Sequence, residues 1–272
     1  MQAGAKLFPL LAEDIREHYD DFSWVYRLYW GEHIHHGLFP SGNETQRHAQ
    51  ELLLRHCAEM AGLRPGMKVA DVGCGHGATA RFFARECGCH VLGLTISPVQ
   101  FKAAVQGARS LSDPAAVNFE LADAEQYAFP AASFDLVWNM ESSEHFFDKA
   151  AYFRKAAAAL KVGGRLMLAA WTGSMEHQLI REIAHVFLCP ELLTTEQYSA
   201  QIQAAGLNVL QTEEIGPLVA RTWDLCAAHA RLAAPLLPAL PEKFRSFAQG
   251  IELMRQGFRS GQLNYSIVVA GK

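Results

Sequence analysis

Residues 69–77, Val-Ala-Asp-Val-Gly-Cys-Gly-His-Gly, constrain the fold more than any other stretch of this chain. The apolar run from Met67 to Val72 reads as a buried strand. It breaks into Gly73, Gly75 and Gly77, and a helical pattern starts at Ala78. A strand that ends in glycines and opens a helix leaves bare backbone where a ligand can approach closely. Asp71, just before the turn, favours a ligand that carries positive charge there, such as the amino group and sulfonium of S-adenosylmethionine (SAM). A nucleotide cofactor is the alternative, but it would set a pyrophosphate beside this carboxylate, where the two repel.

Strands and helices alternate after this motif. Strand patterns cover 67–73, 90–95, 117–121, 134–139 and 164–170, with helical patterns at 78–87, 97–109 and 148–160 between them. Such alternation implies parallel strands joined by helical crossovers. Residues 12–30 form an aromatic-rich amphipathic helix, a Gly/His/Pro-rich stretch follows at 31–42, and helical periodicity resumes over 44–61. Beyond Trp171, 174–188 and 195–205 look helical, 209–213 and 266–269 look like late strands, and 221–260 is largely helical with prolines at 235, 238 and 241. The expected architecture is α/β: a doubly wound, Rossmann-like, seven-stranded and mostly parallel sheet with an N-terminal helical flap and a helical cap insertion. The expected division is a flap over 1–62, a core over 63–172, and a cap with the last strands over 173–272.

With 272 residues, half of them hydrophobic, the chain has material for a large core. Net charge is −4 with no basic block, which argues against a nucleic-acid surface. No apolar run approaches the length of a membrane span. Met1–Leu11 matches neither a signal peptide nor an Arg-rich transit peptide. Six scattered cysteines suggest a reduced, cytoplasmic protein. Cys87, Cys89 and His90 match no common zinc spacing. The triplet His33, His35, His36 suggests cofactor gating more than a metal, so no metal is expected. Cys74, inside the glycine loop, reads as a small filler.

Several strand ends carry groups suited to a cofactor. The second ends at Thr95, followed by Ser97 as a helix N-cap, Pro98 at the first helical position and Gln100 one turn in. Many dinucleotide enzymes place a carboxylate at this strand end, and its absence weakens an NAD(P) assignment. The third strand runs into Asp123, whose carboxylate can accept an adenine amine. The fourth ends in Asn139-Met140-Glu141-Ser142-Ser143-Glu144-His145, which crowds titratable groups at the mouth of the sheet.

The run Gly-Leu-Thr-Ile-Ser-Pro-Val-Gln at 93–100 resembles the SAM motif shared by tocopherol C-methyltransferases and cyclopropane fatty acid synthases. Asp123-Ala124, the segment from Phe134 to His145, Tyr19-Asp20, Trp30 to Gly37, and Leu253 to Phe258 resemble the gamma-tocopherol C-methyltransferase group in particular. The resemblance spans nearly the whole chain and implies a class I SAM-dependent methyltransferase, with S-adenosylhomocysteine (SAH) as product. It implies that Asp71, Gly73 and Gly75 hold the methionine end and that Thr95, Ile96 and Gln100 hold ribose and flank adenine. Asp123 and Ala124 would read the adenine edge, and Asn139 would meet the methionine amine through its backbone. His36 and Gly37 would fold over the cofactor from the flap, with Tyr19 nearby.

Methyl transfer from a sulfonium is an in-line displacement that rewards positioning and a dry site. A phenolic acceptor must lose its hydroxyl proton. His145 is the candidate base, with Glu144 or Glu141 orienting it, because an unperturbed imidazole titrates near neutrality. Glu141 has an alternative role in positioning an amine. Phe146, Trp171, Phe187, Leu193, Trp223 and Met254 are candidates for acceptor lining or plain core. The expected function is methylation of a small, largely apolar or aromatic acceptor, with C-methylation of a phenol or quinol first. N- or O-methylation of an amine or alkaloid, cyclopropane synthesis on lipid, and a SAM-sensing module follow as alternatives. The oligomeric state is left open.

Overall fold

The computed structural model describes residues 10–233, 239 and 241–272. The expected prolines at 235 and 238 lie outside the described residues. Seven strands form one sheet: β1 (Lys68–Val72), β2 (His90–Thr95), β3 (Val117–Leu121), β4 (Phe134–Met140), β5 (Leu160–Gly173), β6 (Asn208–Glu214) and β7 (Leu263–Gly271), in spatial order β3-β2-β1-β4-β5-β7-β6. Strands β3, β2, β1, β4 and β5 are mutually parallel, and β7 runs antiparallel between β5 and β6. This is the mostly parallel, doubly wound sheet expected from the sequence. β5 is longer than its apolar stretch because it pairs with β7 over the whole span from Arg165 to Gly173.

Period-two alternation sends neighbouring side chains of each strand to opposite faces. Val69 and Trp138 enter the core on one face, and Ala70 and Val137 enter the core on the other. Helices cover both: α1 (Ala12–Tyr29), α2 (Gln46–Ala61), α3 (Ala78–Cys87), α4 (Pro98–Ala108), α5 (Lys149–Ala159), α6 (Gln178–Val186), α7 (Thr195–Ala204), α8 (Gly216–Val219), α9 (Arg221–Ala233) and α10 (Glu242–Ser260). Local chemistry sets their ends. Thr45 caps α2 through His48 N–H, so the helix starts two residues later than its periodicity suggests. Ser97 caps α4 with Pro98 at its first turn. Residues 174–177 form a turn rather than helix, and Pro241 precedes α10.

The strand order reverses beside β1, the position where open α/β sheets bind ligands beyond their carboxyl ends. Above that edge lies α1, held to the second crossover because Ser97 Oγ donates to Asp20 Oδ1 at 2.5 Å. Phe22 of α1 packs against Phe244 and Phe247 of α10, with ring centroids 4.6 and 5.0 Å apart. The first and last helical segments thus close over the same edge of the sheet. No helix among the described residues is long and apolar enough to cross a membrane.

Candidate active site

Two cavities lie at this edge. The outer cleft has about 1010 Å³ of empty space including its open mouth, and the inner one about 510 Å³. They share a wall made of Tyr19, Ile34, Glu141 and His145.

The outer cleft is built on the glycine loop. Gly73 has φ +76°, and a Cβ there would come within 2.3 Å of Ser142 Cβ, so this position needs glycine for conformation and for packing. Gly75 has φ +53° but only Ile34 Cδ1, at 3.6 Å, near its missing Cβ; its bare backbone leaves room in the cleft itself. Asp71 is 3% exposed, and its Oδ2 has no partner among the described residues. Burial pushes its carboxyl up to about 7, against a hydrogen bond from the backbone of Ala80 that acts the other way. A buried carboxylate oxygen without a partner calls for a cationic ligand.

Thr95, Ile96 and Gln100 line the next part of the cleft, where Thr95 Oγ1 and Gln100 Oε1 are 2.8 Å apart. Asp123 and Ala124 line its far end; Asp123 Oδ1 accepts from Glu125 N–H at 2.8 Å, which folds the turn after β3. Tyr19 closes the near side from α1. Cys74 is buried and its thiol is held well above the usual range by desolvation, which suits a filler and not a nucleophile.

Two residues expected to fold over the cofactor stand elsewhere. His36 and Gly37 do not line the outer cleft. His36 turns inward, donating from Nδ1 to Glu141 Oε2 (2.9 Å) and accepting at Nε2 from Trp223 Nε1–H (2.6 Å), and it lines the inner cavity. Gly37 N–H donates to Thr222 Oγ1 at 3.0 Å, and Ala49 Cβ lies 2.5 Å from where a Cβ would stand. The outer wall is formed instead by His33 and His35 of the same loop, together with His76 of the glycine loop. All three imidazoles are held below their usual pKa by burial, and His33 Nδ1, His35 Nε2 and His76 Nδ1 have no partner. Asn139 is fully buried beneath the cleft, with Nδ2 3.2 Å from Tyr152 OH and Oδ1 accepting from Ser143 N–H. Glu144 faces only the inner cavity.

His145 Nδ1 is 3.1 Å from Leu188 O, an atom that only accepts, so Nδ1 carries the proton and Nε2 is left as acceptor. Tyr19 OH donates to that Nε2 at 2.7 Å. Leu188 adopts φ +55°, a left-handed backbone that is strained for a branched residue and sets its carbonyl beneath the ring. The expectation that Glu144 or Glu141 orients His145 is therefore corrected: a backbone carbonyl holds the ring. Burial pushes His145 down to about 4, so it is neutral near pH 7 with its lone pair engaged.

Glu141, also at positive φ (+52°), is a hub. Its carboxylate accepts from His36 N–H, His36 Nδ1–H, Trp171 Nε1–H and Tyr265 O–H at 2.8–3.3 Å. Burial alone would raise its proton affinity, but His36, through both its ring and its backbone N–H, and His35 hold it below the usual carboxylate range. Glu144 is the opposite case. Oε1 accepts from Trp171 N–H at 2.8 Å, Oε2 is buried and unpartnered, and desolvation pushes the carboxyl up to about 8. The rest of the inner cavity is lined by His18, Tyr26 and Trp30 from α1, with Trp171, Phe187 and Trp223. Of the other acceptor-lining candidates, Phe146 faces the outer cleft, while Leu193 and Met254 are core.

Residues 10–264 match the family model described as mycolic acid cyclopropane synthetase, so the chain belongs to that family. It is 29% identical to tocopherol O-methyltransferase, chloroplastic, of Arabidopsis thaliana, over 99% of this chain and 85% of that one. It is 31% identical to 27-O-demethylrifamycin SV methyltransferase of Amycolatopsis mediterranei, over 79% of this chain and 80% of the relative. Among solved structures, mycolic acid cyclopropane synthase CmaA1 complexed with SAH and CTAB matches with a TM-score of 0.85 at 23% identity, covering 96% of this chain and 98% of that one, a likeness of fold. The chain is a SAM-dependent methyltransferase of small molecules.

Proposed function

We propose that this member of the mycolic acid cyclopropane synthetase family methylates a small, largely apolar aromatic acceptor bound in the inner cavity, at a ring carbon of a phenol or quinol. The observation that carries this is the cavity beside Tyr19 and His145, walled by Tyr26, Trp30, Trp171, Phe187 and Trp223 and faced by Glu144, whose Oε2 has no partner among the described residues. Aromatic walls faced by a carboxyl oxygen without a partner suit a flat, largely apolar molecule that bears a hydroxyl. The relatives named for tocopherol and for 27-O-demethylrifamycin SV support an acceptor of the natural-product kind.

SAM, when bound, supplies an electrophilic methyl on its sulfonium. Asp71 would pair with its ammonium, Gly75 would leave room for its methionine end, and Thr95, Gln100 and Asp123 would meet the nucleoside. The chain's remaining task is to raise the acceptor's nucleophilicity by taking the hydroxyl proton. Glu144 fits that task better than His145. Its Oε2 is free, and a proton affinity near 8 is matched to neutral operation, whereas His145 is a weak base whose Nε2 is already engaged by Tyr19. Tyr19 and His145, which line both cavities, would border the junction where acceptor and cofactor meet, with the His145 ring held by the Leu188 carbonyl. Glu141, on the same wall, is tied to β5 through Trp171, to β7 through Tyr265 and to the 31–42 loop through His36.

Methylation of the acceptor's oxygen is the second possibility. The relative's name, tocopherol O-methyltransferase, favours it, and the same proton transfer to Glu144 would serve. The test is methyl transfer to a panel of hydroquinones, simple phenols, indole alkaloids, small betaine-type amines and an unsaturated phospholipid, read by mass spectrometry with fragmentation. A one-methyl gain on the ring of a hydroquinone or phenol is expected. Transfer confined to amines or to the lipid double bond would overturn the proposal.

A further inference from the structure

Glu144 and His145 ride on a single 3-10 turn, Ser143–His145, between β4 and α5. The first residue of α5 is Lys149, with Asp148 as N-cap. Lys149 is 2% exposed, and among the described residues no carboxylate lies within ion-pair distance of its ammonium. Nζ donates to Phe146 O at 2.8 Å and reaches Glu144 O at 3.5 Å, so it clamps the carbonyls on either side of His145. A buried ammonium is costly, and the amino end of a helix is the wrong end for a cation. Backbone capping alone needs no charge.

We propose that Lys149 is a positioning residue for the reaction: its ammonium holds the turn that carries Glu144 and His145 and supplies the positive charge against which Glu144 ionises. This rests on Glu144 as the base. The other groups that act on Glu144 narrow the choice. Tyr19 of α1, Tyr198 of α7, Tyr265 of β7 and Cys189 after α6 are all held protonated by burial. His18 and His145 are held neutral, at about 3 and about 4, and His36 is engaged by Glu141. That leaves two opposed charges: Glu141, which disfavours ionisation of Glu144, and Lys149, which favours it. Desolvation also lowers the Lys149 ammonium's own pKa, as expected for a charge held without a paired carboxylate.

The test is infrared titration of the protonated carboxyl band of Glu144, identified by its loss in Glu144→Gln, in the wild type, Lys149→Met and Lys149→Arg. Lys149→Met is expected to move the midpoint up by about one pH unit or more, at unchanged SAH affinity, and Lys149→Arg to leave it near the wild-type value. An unmoved midpoint in Lys149→Met overturns the proposal. Because coupling between two sites is reciprocal, Glu144→Gln should lower the titration midpoint of the Lys149 Cε resonance. That measurement needs no substitution at Lys149, and an unchanged midpoint there overturns the proposal equally. Failure of the base assignment is read separately, as Glu144→Gln retaining wild-type turnover of a dimethylated hydroquinone.

Discussion

Asp71→Asn isolates the charge that the outer cleft offers to its ligand. The substitution keeps the side chain's shape and removes the carboxylate whose Oδ2 is buried and unpartnered. Truncating one partner of a buried charge pair costs about 2–5 kcal/mol, so affinity for SAH, which keeps the ammonium and donates no methyl, should fall roughly thirtyfold to a few thousandfold. The wild type should also bind less tightly in acid. Its carboxyl titrates at about 7 in the free protein, and a proton there competes with the ammonium. Affinity should drop about tenfold from pH 8 to pH 6 and about tenfold more to pH 5, while Asp71→Asn stays flat. Stability of the ligand-free protein runs in the opposite sense. The folded pKa lies above the ordinary value of 3.8, so the contribution is fully present below that value and is lost as pH rises through 7. The penalty is on the order of 4 kcal/mol at the alkaline end. Ligand-free Asp71→Asn should therefore gain on the wild type in melting temperature between pH 4 and pH 8. Calorimetric titration with SAH over pH 5–8.5 reads the binding. Equal pH slopes in the two proteins, with affinities within about threefold, less than 1 kcal/mol, would refute the reasoning.

Three other outcomes are expected. Gly73→Ala should fold poorly, because its Cβ collides with Ser142, whereas Gly75→Ala should cost only about 1–2 kcal/mol of stability for its left-handed backbone and lose SAH affinity; chemical denaturation and calorimetry separate the two. Glu141→Gln should lower stability at pH 7 by about 3 kcal/mol or more, with the gap to wild type narrowing in acid. The Glu141 pKa is depressed, so its contribution is present at neutral pH and lost as pH falls through the folded value; melting curves at pH 3.5 and 7 check this. Tyr19→Phe leaves His145 Nε2 without its donor and should cost about 1–3 kcal/mol in urea denaturation, and an unchanged midpoint would speak against the pairing.

The strands were legible where apolar residues ran together between turn residues, as at 90–95, or alternated with polar ones, as at 117–121, because both patterns bury a face of the sheet. The glycine loop and Asp71 were legible for the same reason that they matter: only glycine tolerates the backbone there, and a lone carboxylate in an apolar run demands an explanation. The loop 31–42 was not. It has no periodicity, so nothing in the order His33-Ile34-His35-His36-Gly37 says that His33 and His35 face the outer cleft while His36 turns toward Trp223, far along the chain. His76 stood in plain sight among the glycines, and its burial beside Ser23 depends on where α1 lands. The partner of His145 is a main-chain carbonyl, which leaves no mark in residue types. Likewise, the choice between His145 and Glu144 as base turns on burial and on which lone pair is already engaged.

The most direct measurement is a ternary structure with SAH and the acceptor that the panel identifies. The expected result is an aromatic ring enclosed by Trp171, Phe187 and Trp223, its hydroxyl within hydrogen-bond distance of Glu144 Oε2 and its methylated atom facing the cofactor sulfur beside Tyr19 and His145. An acceptor seated at the mouth of the outer cleft, with the inner cavity empty and Glu144 untouched, would contradict it.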